Sequence, residues 1–210
     1  MTDKKRQAAY YEDLLLTYGD HFLSLDWKSP ESQEIRFRVF ADFINMFGEE
    51  RFSALDVGCG FGDLCSYLEK NGFKASYTGY DISPKILEVA KKKHPKGRFE
   101  VRDIIEAPPK EKFDFVFCSG TLNIAFDERS AHLEYMRSML LRMYELCKIG
   151  AAVNFLSSQA VYGLRDEDLA LKQYFYTKVE EIVPWTRGMA SRYVVRHDYH
   201  PGDFTVYLIK

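Results

Sequence analysis

Apolar residues change their spacing near residue 50. Before it they recur at helical intervals: Leu14, Leu15 and Tyr18 form one stripe, and Phe40, Phe43, Ile44 and Phe47 another. Gly19-Asp20 and Ser29-Pro30 break these stripes, so residues 1 to about 48 are expected to form a helical cover. From Ser53 onward short apolar runs alternate with amphipathic stretches. Ser53–Val57, Tyr77–Tyr80, Arg98–Arg102, Phe113–Cys118 and Ala151–Leu156 read as strands. Asp63–Lys70 and Glu128–Cys147 read as helices, and Ser83-Pro84 caps another, with proline where no amide hydrogen is needed. Such alternation predicts a parallel sheet built from βαβ units over residues 53–210. Tyr193–Tyr199 and Phe204–Ile209 differ, because only four residues join them. A parallel crossover does not fit in four residues, so these two strands must pair antiparallel.

Composition narrows the class further. The chain has 210 residues, 46% hydrophobic and 29% charged, as expected of one globular domain over 1–210. A net charge of −2 provides no general attraction for nucleic acid or an anionic membrane, so neither is expected as a partner. The basic run Lys91, Lys92, Lys93, Lys96 and Arg98 falls at a helix C-terminus, where cations favour the helix dipole. The longest uncharged run, Ile149–Leu164, is too short and too polar to span a bilayer. Cys59, Cys65, Cys118 and Cys147 form no CxxC or zinc-finger spacing, which fits reduced thiols in a cytoplasm. No metal is expected: His197 and His200 are three apart on or beside a strand and should face opposite sides.

The most informative stretch is Asp56-Val57-Gly58-Cys59-Gly60-Phe61-Gly62, between the first strand and its helix. Glycine accepts positive φ and lets a ligand approach the backbone, and open α/β sheets bind ligands at such strand-to-helix crevices. The spacing is GxGxG after an acidic residue, not the GxGxxG of dinucleotide binders. A DxGxGxG turn resembles motif I of the class I S-adenosylmethionine-dependent methyltransferases. Trp27-Lys28-Ser29-Pro30-Glu31-Ser32-Gln33, with Arg36-Phe37, is similar to a W-x-S-x-x-S-Q-x-x-R-F segment that precedes motif I in a bacterial group of unassigned substrate. The resemblance implies a Rossmann-like, seven-stranded, mainly parallel sheet with a C-terminal antiparallel hairpin and an N-terminal helical cover. It implies S-adenosylmethionine as cofactor.

Candidate site residues follow from both lines. Asp56, Gly58, Cys59 and Gly60 belong to the glycine turn. Asp81, with Ile82, ends the second strand, where a carboxylate can accept both ribose hydroxyls or cap the next helix. By resemblance, Asp103 takes the adenine amino group and Ile104 packs on the ring, while Ser119 and Gly120 floor the methyl-transfer site. Gln33 and Arg36 share one helix face, and Arg36 could hold the methionine carboxylate through a bidentate contact. Tyr10 and Tyr11 belong either to a lid over the cofactor or to helix packing. Asn123 either orients the acceptor or caps a helix.

A sulfonium methyl is already activated, so alignment alone can supply most of the catalysis and no catalytic side chain need be legible. Neither an Asn/Asp-Pro-Pro-Tyr nor a Pro-Cys signature stands at residues 119–123, which leaves a small molecule as the expected acceptor. Tyr144 and Lys148 form a YxxxK pattern of the dehydrogenase kind, without the matching glycine turn near the N-terminus. The rival readings are a non-catalytic S-adenosylmethionine-binding module and an NAD-binding oxidoreductase. The GxGxG spacing and the terminal hairpin oppose the second.

Overall fold

The computed structural model describes residues 2–162 and 173–210. The last two positions of the uncharged run, 163 and 164, lie outside the described residues. Seven strands form one sheet in the order β3-β2-β1-β4-β5-β7-β6. They are β1 (Arg51–Val57), β2 (Lys74–Asp81), β3 (Arg98–Val101), β4 (Phe113–Cys118), β5 (Cys147–Leu156), β6 (Arg192–Arg196) and β7 (Asp203–Ile209). Strands β1 to β5 are mutually parallel, while β7 inserts antiparallel between β5 and β6. The expected hairpin is present, and the fold is the Rossmann-like sheet the sequence predicts.

Helices cover both faces. On one, α2 (Pro30–Asn45), α3 (Asp63–Lys70) and α4 (Pro84–Lys93) pack through Phe40, Phe43, Leu64, Leu68 and Leu87. On the other, α5 (Arg129–Leu146) and α6 (Val179–Met189) pack through Met136, Leu140, Met143 and Ile182. The α2 stripe behaves as expected: Phe40 stacks on Phe117 at 5.0 Å, and Phe43 on Tyr207 at 4.3 Å. Its start is set locally. The Ser29 hydroxyl accepts the Ser32 N–H, the Ser32 hydroxyl accepts the Ser29 N–H, and Pro30 takes the first helical position.

Helix α1 (Asp3–Tyr18) forms as expected, but its packing does not follow its apolar stripe. Its Leu14, Leu15 and Tyr18 stripe does not enter the core; Tyr18 stays 46% exposed, and the buried position is Gln7. The helix is held instead by polar contacts to the strand ends. Lys4 pairs with Asp103 and Glu106, the Gln7 amide donates to the Ile124 carbonyl at 2.8 Å, and Glu12 accepts from the Ser83 hydroxyl at 2.8 Å. Strand β5 starts four positions earlier than predicted, because Cys147 already pairs with Phe113. Strand β6 ends at Arg196 rather than Tyr199. All four cysteines are buried free thiols. Among the described residues no helix is long and apolar enough to cross a membrane.

Candidate cofactor site

The strand order reverses between β1 and β4, since the chain runs outward through β2 and β3 and then returns to the far side of β1. Such a switch point leaves a crevice at the carboxyl ends of the strands. A cavity opens there, and Gln7, Ala8 and Tyr11 of α1 form part of its wall.

The glycine turn forms its floor. Gly58 has φ +71°, and a Cβ added to it would sit 1.8 Å from the Thr121 hydroxyl oxygen. That hydroxyl donates to the Val57 carbonyl at 3.1 Å, so the turns after β1 and β4 interlock through a position only glycine can occupy. Asp81 stands opposite. Its two oxygens accept the Gly60 N–H at 3.1 Å and the Ser83 N–H at 2.9 Å. Burial lifts this carboxyl to about 6, against the pull of those backbone N–H groups. Asp56, 5% exposed, accepts the Tyr77 hydroxyl at 2.7 Å. Burial pushes its pKa to about 7, the Tyr77 hydrogen bond opposes the shift, and the Asp81 and Asp63 charges add to it.

Cys59 and Ile82 also line the cavity, as do Asp103 and Ile104 after β3 and Ser119 and Gly120 after β4. Asp103 is already engaged: Lys4 pairs with one oxygen, and the Ile105 N–H donates to the other at 2.8 Å. The Ser119 hydroxyl oxygen is buried and has no protein partner. Neither nearby thiol is poised as a nucleophile, because burial raises Cys59 well above its usual range and Cys118 to about 12. Gln33 reaches the cavity from α2 and donates to Asp63 at 3.2 Å.

Two expectations change. Arg36 is not in the cavity wall. It is 6% exposed, pairs with the fully buried Asp203 and donates back to the Ser32 carbonyl. Its charge is therefore already matched, and it is not held ready for a ligand carboxylate. Asn123 is not in the wall either, and it caps no helix, since Glu128 precedes α5. Its backbone bonds Gly120 and Phe175.

The other patterns dissolve on inspection. Lys148 pairs with Asp114 at 3.1 Å while Tyr144 lies under Lys210, so the YxxxK residues do not meet. Lys93 pairs with Asp20 and Asp63 at the end of α4. His200 turns to Asp203 at 2.9 Å, and among the described residues no group of metal ligands assembles. Sequence reasoning missed Tyr135 and Met139, which reach the cavity from α5. Their spacing of four on a helix is indistinguishable from an ordinary core stripe.

Comparison with known proteins agrees with this geometry. Residues 54–142 match the family model described as "Methyltransferase domain". A provisionally assigned methyltransferase of Mycobacterium tuberculosis is 29% identical over 163 residues, 76% of this chain and 93% of that protein. The demethylmenaquinone methyltransferase of Chlorobaculum tepidum is 23% identical over 92% of this chain and 74% of its own length. Among solved structures, magnesium protoporphyrin IX methyltransferase from Synechocystis, with bound S-adenosylhomocysteine, superposes with a TM-score of 0.69. It covers 99% of both chains at 16% identity, a likeness of fold. Turn, strand order and the match over residues 54–142 converge: the chain acts by S-adenosylmethionine-dependent methyl transfer.

Proposed function

We propose that the chain methylates a small-molecule acceptor, and that the cavity at the switch point holds the cofactor along the strand ends from β3 to β4. The observation that carries this reading is the convergence of Asp81, Asp103 and the glycine turn on one cavity. Asp81 keeps acceptor capacity beyond its two backbone donors, because an ionised carboxylate has about four lone-pair sites. It is placed to take the two ribose hydroxyls. Ile82 and Ile104 supply apolar surface for the adenine, and Asp103 its amino group, shared with Lys4. Gly58, Cys59 and Gly60, with Asp56, Gln33, Ser119 and Gly120, serve the methionine end. There the unpartnered Ser119 hydroxyl suits a polar ligand group. The bound cofactor supplies an activated methyl group, so the chain's own task is to orient, enclose and exclude water.

The demethylmenaquinone and magnesium protoporphyrin IX methyltransferases named above, together with a malonyl-[acyl-carrier protein] O-methyltransferase 27% identical over 160 residues, bear the names of small or carrier-bound acceptors. The near-neutral charge also disfavours a nucleic-acid substrate. Buried thiols suit a reducing compartment such as the cytoplasm. Labelled S-adenosylmethionine incubated with metabolite, RNA and protein fractions tests the acceptor class. Label in the metabolite fraction is expected. Label confined to macromolecules would overturn the small-molecule reading, and tight cofactor binding with no label anywhere would favour a non-catalytic module.

A further inference from the structure

Trp27 lines the cavity and is fixed from three sides. The Arg36 guanidinium stacks over its ring at 4.8 Å from the centroid. Beyond it lies Gly120, where an added Cβ would come within 3.1 Å of the indole. The residue before it, Asp26, is held at φ +60°, and its carboxylate accepts the Tyr10 hydroxyl at 3.0 Å and the Tyr174 hydroxyl at 2.8 Å. Arg36 in turn is tied to Asp203 at the start of β7 and to the Ser32 carbonyl in the first turn of α2. The result is a strut running from β7 through α2 to the indole and the turn after β4.

Stability does not account for this strut. A buried ion pair loses so much hydration that an apolar replacement is commonly neutral or stabilising. This pair is costlier still, because Arg36 Nε and Asp203 Oδ1 are both buried without a partner. What the pair does achieve is geometric, since it fixes the guanidinium plane on which the indole rests. The strand order says which part of the cavity that indole bounds. Asp103 follows β3 and Gly120 follows β4, three strand spacings apart, or about 14 Å. With the ribose carboxylate Asp81 between them, Trp27 stands at the end away from the adenine.

We propose that Arg36 and Asp203 are positioning residues that hold Trp27 as the rigid wall of the methionine end of the cofactor site. This rests on the cofactor reading given above. A wall ordered before binding spares the ligand the cost of ordering it. Its loss should be felt by a ligand that fills the methionine end and ignored by one that stops short of it.

S-adenosylhomocysteine and 5′-methylthioadenosine make that distinction, since the second has the sulfur but no amino acid. Calorimetric titration of both into the wild type, Trp27→Leu, the double variant Arg36→Met/Asp203→Asn and the triple variant is the test. The double variant removes both charges together, so no lone buried charge is left to unfold the protein, and Tm is measured alongside. Expected is a loss of about tenfold for S-adenosylhomocysteine in both Trp27→Leu and the double variant, with methylthioadenosine within about twofold. The triple variant should lose no more than Trp27→Leu alone, because the pair acts through the indole. Arg36→Lys, which keeps the charge, should recover part of the affinity. Equal losses for both ligands, no loss in the double variant, or full additivity in the triple variant would each refute the strut. A wild type that binds neither ligand would refute the cofactor reading itself.

Discussion

Asp56 offers the sharpest test of how the cavity is built. It is 5% exposed at the end of β1, and among the described residues it has one strong donor, the Tyr77 hydroxyl at 2.7 Å, and no cationic partner. Burial moves its pKa from 3.8 to about 7. The sign follows from which state holds the proton. Between about pH 4 and 7 the folded chain keeps a proton that the unfolded chain has released, so stability falls as pH rises through that window. At 1.36 kcal/mol per pH unit, the full loss is at most about 4 kcal/mol, an upper bound for a group relaxing in a real protein. Asp56→Asn preserves shape and still accepts from Tyr77, but it cannot ionise. Urea denaturation of the ligand-free protein from pH 5 to 8 should therefore show the variant gaining steadily on the wild type, by a few kcal/mol at pH 8. Parallel pH profiles for the two proteins would refute the reasoning. A second consequence separates cofactor from product. An ionised Asp56 favours the cationic sulfonium over the neutral thioether, so the variant should lose more affinity for S-adenosylmethionine than for S-adenosylhomocysteine. Equal losses would place Asp56 away from the sulfur.

Two further outcomes follow from the same cavity. Asp81→Ala removes the acceptor proposed for the ribose, and hydrogen bonds to charged groups are worth about 1.5–3 kcal/mol, so S-adenosylhomocysteine affinity should fall roughly 10- to 150-fold. Unchanged affinity by calorimetry, or binding of NAD instead, would sink the assignment. Gly58→Ala should lower Tm sharply, through its φ of +71° and the clash with Thr121. Thr121→Gly on top of it should recover part of the loss, leaving about 1–2 kcal/mol of left-handed backbone cost. A double variant no more stable than Gly58→Ala would refute the interlock.

The α/β core was legible because its signals are local and redundant. FDFVFC became β4 with the predicted ends, Asp63–Lys70 became α3, and β6 and β7 do pair antiparallel, although the connection between Arg196 and Asp203 is longer than the four residues expected. Glycine spacing and two strand-end carboxylates marked the cavity, since close backbone approach and ribose recognition each admit few residue types. Helix α6 left no comparable trace, because Pro184 lies inside it.

The N-terminal cover obeys a different logic, and this is where reading by periodicity fails. An apolar stripe predicts burial only if apolar surface awaits it, yet α1 lies over the polar carboxyl ends of a parallel sheet. There the available partners are carboxylates, hydroxyls and carbonyls, and Lys4, Gln7 and Glu12 meet them while Leu16 remains 77% exposed. Arg36 shows the same limit in reverse. A bidentate cation one helical turn along α2 from Gln33 suits a ligand carboxylate, but Asp203 is 167 positions away and its approach is set by β7 pairing with β5. No window of sequence contains that partner. Charge pairing across the fold thus puts Arg36 behind the cavity-lining indole rather than in the cavity itself. The segment from Trp27 to Phe37 serves the site as a unit, with the indole, Gln33 and Phe37 forming the wall, and with the Ser29–Ser32 cap and Arg36 holding it in place.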